Sequence, residues 1–234
     1  MITRDADFLA RYFPVVSKAI AFCSAIKVPR AKSIGQVDPS GGPLGDALVT
    51  GCSSIYKSLE CAILIADQLE TRLQRGAKRG LDSGRRCGIA RSGSIAPGRV
   101  NPAMRWIGST PSWQDGLWAS RLKIDWQRWS EFVEPGIGCR CENHQPWATV
   151  AESCELTLAL LAAGERDQAA ELFSWLTQWR DSDGAWWTGY QFAEQVLWPK
   201  EKPTWTAGAV LLAVDALTHH TAASGLFLSP ALKD

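Results

Sequence analysis

The sequence predicts an all-α fold of helical hairpins closing part of a ring, and three observations carry that reading. Six stretches place apolar residues at helical spacing. Two of them follow one another across the single glycine Gly164, which leaves room only for a tight αα turn. No segment competes with the period-two alternation of a half-buried strand.

The first helix is expected over 6–28, where Phe8, Leu9, Tyr12, Phe13, Val16, Ile20 and Phe22 recur near one face and Pro14 should kink or restart it. Residues 29–50 are rich in Gly, Pro, Ser and Asp and read as loop. Ser53 and Ser54 suit the start of a second helix over 53–74, striped by Ile55, Leu59, Ala62, Ile63, Ala66 and Leu69. Residues 76–115 have no period and read as an irregular or disordered basic insertion within one domain spanning 1–234. Order returns over 117–133, with Leu122, Trp126, Trp129 and Phe132 near one face, and 134–147 reads as loop. Thr149 and Glu152 form the Ser/Thr-x-x-Glu capping pattern opening a helix to about Ala163, which Gly164 ends. The helix over 165–180 buries Leu172, Phe173, Leu176 and Trp179, and a long aromatic loop follows from Asp181 to Pro203. The last helix, 206–217, is apolar almost all round, which predicts burial on most sides.

Composition narrows the function classes. The 234 residues are 46% hydrophobic and 21% charged, the make-up of an ordinary globular chain. No apolar run is long enough to span a membrane, the first residues make a poor signal peptide, and seven scattered cysteines suit a reducing cytoplasm better than a disulfide framework. The net charge of +1 hides an asymmetry: residues 71–105 carry a balance of +8, and residues 106–234 a balance of −7. The basic block lacks interleaved aromatics and any nucleic-acid-binding module, which argues against a nucleic-acid partner. All twelve tryptophans lie at or after Trp106.

In a ring of hairpins, alternate helices point the same way, so their N-termini open on one rim. That rim collects Tyr56, Trp147, Thr149, Glu152 and Trp205, and the loop across it supplies Asp183, Trp186, Trp187, Tyr190 and Trp198. Flat aromatic walls with a few acids suit a sugar, stacked on rings and cleaved by a carboxylic acid and a carboxylate. They also suit a polyprenyl chain, whose developing cation is stabilised by aromatic faces. Glu152 and Asp183 are the candidate catalytic acids, although Glu152 also serves the capping pattern and Asp183-Gly184 is a good turn in its own right. Cys139, Cys141 and His144 offer three soft ligands at a spacing that matches no standard zinc site, so no metal site is assigned and no cofactor is identified.

Several segments together resemble a known group. WSEFVEPGIGCRC from Trp129, QPWATVAESCE from Gln145, DGAWWTGY from Asp183, WPKEKPTWTAGAVLLA from Trp198 and ALVTGCSSIYKSL from Ala47 are similar to bacterial prenyltransferase-like proteins. The resemblance implies the (α/α) toroid shared with terpenoid cyclases and protein prenyltransferase β-subunits, here as a shortened or disrupted member. It implies an isoprenoid or other apolar small molecule bound in an aromatic pocket, in a chain that is prenyltransferase-like if active. Glu152-Ser-Cys-Glu155 has only a superficial likeness to an acidic cyclase motif, with its acids one turn apart. Two alternatives stand beside this reading: a glycan-processing enzyme of the six-hairpin glycosidase type, and a non-catalytic helical binding protein or remnant. An open toroid edge also predicts self-association into a homo-oligomer.

Overall fold

The computed structural model describes residues 5–25, 49–70 and 129–228. The basic block 76–115 and most of the helix expected over 117–133 lie outside the described residues. The chain divides into two compact units.

The first unit holds α1 (Ala6–Ala25) and α2 (Val49–Gln68). Asp5 caps α1, its carboxylate accepting the Phe8 N–H at 2.9 Å. The helix continues through Pro14 rather than restarting there. Both ends of α2 fall before the 53–74 expected for it. The two helices share a small core in which Ile20, Leu59 and Ala62 are buried, flanked by Val16 and Ile63.

The second unit corrects the all-α expectation. It opens with one helical turn, α3 (Trp129–Phe132), and then builds a five-stranded antiparallel sheet in the order β1-β2-β3-β4-β5. The strands are β1 (Val133–Glu134), β2 (Gly138–Arg140), β3 (Trp147–Thr149), β4 (Gly189–Gln191) and β5 (Val196–Leu197). Each is two or three residues long, too short for a period-two pattern to register in the sequence. They come mostly from the two segments expected to be loops, 134–147 and 181–203, with Val133 taken from the end of the helix expected over 117–133 and Ala148 and Thr149 from the edge of the next. The β1–β2 hairpin turns at Pro135-Gly136, with Gly136 at φ +75° and the Ile137 N–H donating to the Glu134 carbonyl at 3.0 Å. Pairing of β3 with β4 sets Ala148 opposite Tyr190 and Thr149 opposite Gly189.

Between β3 and β4 lie α4 (Val150–Ala163), α5 (Arg166–Leu176) and a 3-10 turn (Thr177–Trp179). The helical hairpin expected there is present. Gly164 terminates α4 at φ +87°, and the Glu165 N–H donates to the Leu160 carbonyl at 2.9 Å. A Cβ on Gly164 would meet nothing within 4 Å, so its cost is purely conformational. Gly164→Ala is expected to lower stability by about 1 kcal/mol, read from the shift of a urea midpoint. An unchanged midpoint would mean that the cap relaxes out of the left-handed region.

The last helix is α6 (Thr204–Thr218). Nearly every side of α4 is covered. Leu156, Ala159 and Leu160 join Phe132, Val133, Cys139 and Leu172 in one cluster. Val150 and Cys154 join Leu176, Val210 and Ala213 in another. In α6 only the stripe Thr206, Val210, Ala213 and Ala216 is buried. Trp205 and Leu211 are 54% and 69% exposed, so burial on most sides, expected from the composition of α6, holds for one face. No helix among the described residues is long and apolar enough to cross a membrane.

Candidate active site

The sheet and α4 meet at Thr149, and that junction shapes the site. Thr149 is the last residue of β3 and the N-cap of α4, with extended backbone at φ −116° and ψ 147°. The first free helix donor, the Val150 N–H, is taken by the Thr188 carbonyl at 3.0 Å. The capping pattern therefore marks the helix start without forming its usual side-chain bonds. The Thr149 hydroxyl instead donates to Oε2 of Glu152. The Cys141 thiol, on the strand side, approaches the other oxygen, Oε1, at 3.5 Å.

Glu152 and Glu155 stand one turn apart and face a cleft of about 620 Å3 between α4 and α6. Ala151 and Leu158 complete the α4 wall, and Trp205, Gly208, Ala209, Leu211 and Leu212 form the α6 wall. Among the described residues, the two glutamates are the only ionisable groups lining it. Glu155 is solvent-exposed at the cleft, although many protein atoms surround its carboxyl group. Burial, followed by the charge of Glu152, pushes the Glu155 carboxyl up to about 7. Glu155 thus holds its proton far more tightly than an ordinary glutamate, beside a second carboxyl group on the same wall.

The thiols nearby are held protonated. Burial, reinforced by Glu152, pushes Cys141 up to about 12. Cys139 and Cys154 are likewise shifted upward, burial being the larger cause in each. Among the described residues no group of three or more metal-ligating side chains comes together. Cys139 packs in the core, and His144 Nε2 lies 3.1 Å from Glu142.

Of the residues singled out from the sequence, the cleft brings together Glu152 and Trp205, with Thr149 directly behind Glu152. Trp147 donates its indole N–H to the Trp198 carbonyl at 2.7 Å and meets that ring edge-on at 4.9 Å. Tyr190 stacks on Trp179 at 4.4 Å, and Trp186 packs against the cluster around Val150 and Leu176. Tyr56 lies in α2, and its side chain lies outside the described ones. Asp183 sits in a turn closed by the Gly184 N–H to the Asp181 carbonyl at 2.9 Å. Its carboxylate receives Lys202 at 2.5 Å, and Lys202 also reaches Asp181 at 2.7 Å and lies 4.9 Å over the Trp187 ring. Glu155 is the residue that sequence reasoning passed over. Its signal was a second acid one turn along an otherwise apolar helix.

The Lys202 hydrogen bonds hold both aspartates below the ordinary carboxylate range and raise Lys202 itself. Depressed acids stabilise the fold above their unfolded pKa and lose that contribution as pH falls through their folded values. Lys202→Met is therefore expected to melt below the parent at neutral pH, a gap that closes as pH falls below the ordinary carboxylate range. A gap independent of pH would mean that the ring contact with Trp187, not the charge pairing, is what matters.

No family model matches the chain. The chain is similar to an MMP endo-(1,4)-3-O-methyl-alpha-D-mannosidase of Mycolicibacterium hassiacum. The two are 37% identical over 230 residues, 97% of this chain. The match spans 62% of the relative's length. This overturns the resemblance to prenyltransferase-like proteins, and with it the transferase and isoprenoid expectations drawn from that resemblance.

Proposed function

We propose that the chain is a glycan hydrolase whose cleft takes an α-linked, O-methylated mannose chain. The observation that carries this reading is the pair of carboxyl side chains, Glu152 and Glu155, on one cleft wall opposite the exposed ring of Trp205, with the proton affinity of Glu155 raised by its surroundings. The similarity to an endo-mannosidase over almost the whole chain supports the same chemistry.

The roles follow from the proton inventory. Glu155 gives its proton to the glycosidic oxygen as the bond to the anomeric carbon breaks. The Glu152 carboxylate stabilises the positive charge that develops at that carbon. Water supplies the hydroxyl that ends on the anomeric carbon, and its proton returns to the carboxyl pair. Trp205 offers a flat face for a pyranose ring. Leu158, Leu211 and Leu212 line the same cleft with apolar surface, which suits methyl ethers better than bare hydroxyls.

Incubation with an α-(1,4)-linked oligosaccharide of 3-O-methylmannose, followed by mass spectrometry of the products, tests the reading. Shorter oligosaccharides with new reducing ends are expected. Neither cleavage nor calorimetric binding of that oligosaccharide would sink the proposal.

A further inference from the structure

Resting on the hydrolase reading, we propose that Cys141 and Thr149 are positioning residues, whose S–H and O–H hold the two oxygens of Glu152 in the orientation the reaction uses. The geometry comes from the sheet. The Cys141 N–H donates to the Trp147 carbonyl at 3.1 Å, just past the paired residues of β2 and β3. Thr149 is paired on both sides, with Cys139 and with Gly189. Its carbonyl accepts the Ser153 hydroxyl at 2.6 Å, and Ser153 in turn accepts the Cys139 N–H at 2.7 Å. Both donors thus stand on backbone fixed by tertiary pairing, and they reach the first turn of α4 from the strand side.

A carboxylate on a helix surface normally samples several rotamers. Here Oε2 is engaged by a hydroxyl and Oε1 by a thiol. The titratable groups around Glu152 are Cys139 and Cys141 on the strand side and Cys154 and Glu155 on its own helix. The facing wall of α6 carries none. No cationic partner for Glu152 is present among the described side chains of the cleft. Neutral donors orient the charge without quenching it, as an ion pair would.

Two measurements test the assignment. In the first, alkylation of Cys141 is followed by peptide mapping in the full chain and in Glu152→Gln, with Cys61 as the internal reference. Loss of the adjacent charge makes the thiolate easier to form, so Cys141 is expected to react about tenfold faster in the variant, with Cys61 unchanged. In the second, Cys141→Ala and Thr149→Val are each expected to lower kcat about tenfold with KM nearly unchanged. Cys141→Ser and Thr149→Ser, which keep a donor, are expected to restore kcat. A Cys141 rate unaltered by Glu152→Gln overturns the proposal, as does a kcat untouched by both donor deletions. A faster Cys141 in a chain that cleaves no glycan supports the Glu152 contacts and counts against the hydrolase reading alone.

Discussion

Glu155→Gln is expected to lower kcat on the methylated mannan substrate by about 10³-fold, the usual contribution of a positioned general acid. The amide fills the same space and cannot supply the proton. The pH dependence gives a second signature. Glu155 must be protonated to act, so the parent rate should fall as pH rises through about 7, and that basic limb should vanish from the residual activity of the variant. The stability sign runs with it. A carboxyl held above its unfolded pKa favours the folded state at low pH, and that contribution is lost as pH rises from its ordinary value to about 7. Glu155→Gln should therefore melt no lower than the parent in mild alkali, which separates lost chemistry from a damaged fold. Asp183→Asn is the comparison variant, since Asp183 already serves its turn through Lys202 and the Ala185 N–H. Abolished turnover in Asp183→Asn, with Glu155→Gln still active, would move the acid role to Asp183.

The second large effect falls on a glycine. Gly189→Ala is expected to lower stability by about 3 kcal/mol, measured as a shift in the urea midpoint. The new Cβ would stand 2.5 Å from the Ala148 carbonyl oxygen, 2.7 Å from the Trp147 indole nitrogen and 3.1 Å from the Thr149 Cα. Two of those neighbours are backbone of β3, so relief requires parting the β3–β4 pair rather than rotating a side chain. That pair also holds Thr149 behind Glu152, so activity should fall with stability. A loss below about 0.5 kcal/mol would mean that the two strands are not in this register.

Among these residues, what was legible in the sequence was local. The capping pattern at Thr149 and Glu152 marked the start of α4 to within a residue, and Gly164 marked its end, because both signals act within one turn of helix. The placing of Trp147, Thr149, Glu152 and Trp205 beside helix starts was legible for the same reason. The five-stranded sheet was not legible. Pro135-Gly136 announced a turn, but strands of two or three residues carry no pattern of their own. Two aromatic residues of the motifs behind the overturned resemblance, Trp186 and Tyr190, make packing contacts and do not line the cleft.

The sequence by itself determined the helical hairpin, its boundaries and the acid at the head of α4, since helix signals are written within a few neighbouring residues. Tertiary structure alone decided which acids share the cleft wall and what surrounds them. Pairing Thr149 with Gly189 across the intervening helices turned a capping residue into a donor for Glu152. The surroundings of Glu155 push its carboxyl up to about 7. Both depend on burial and on contacts between segments far apart along the chain, and no local pattern encodes those.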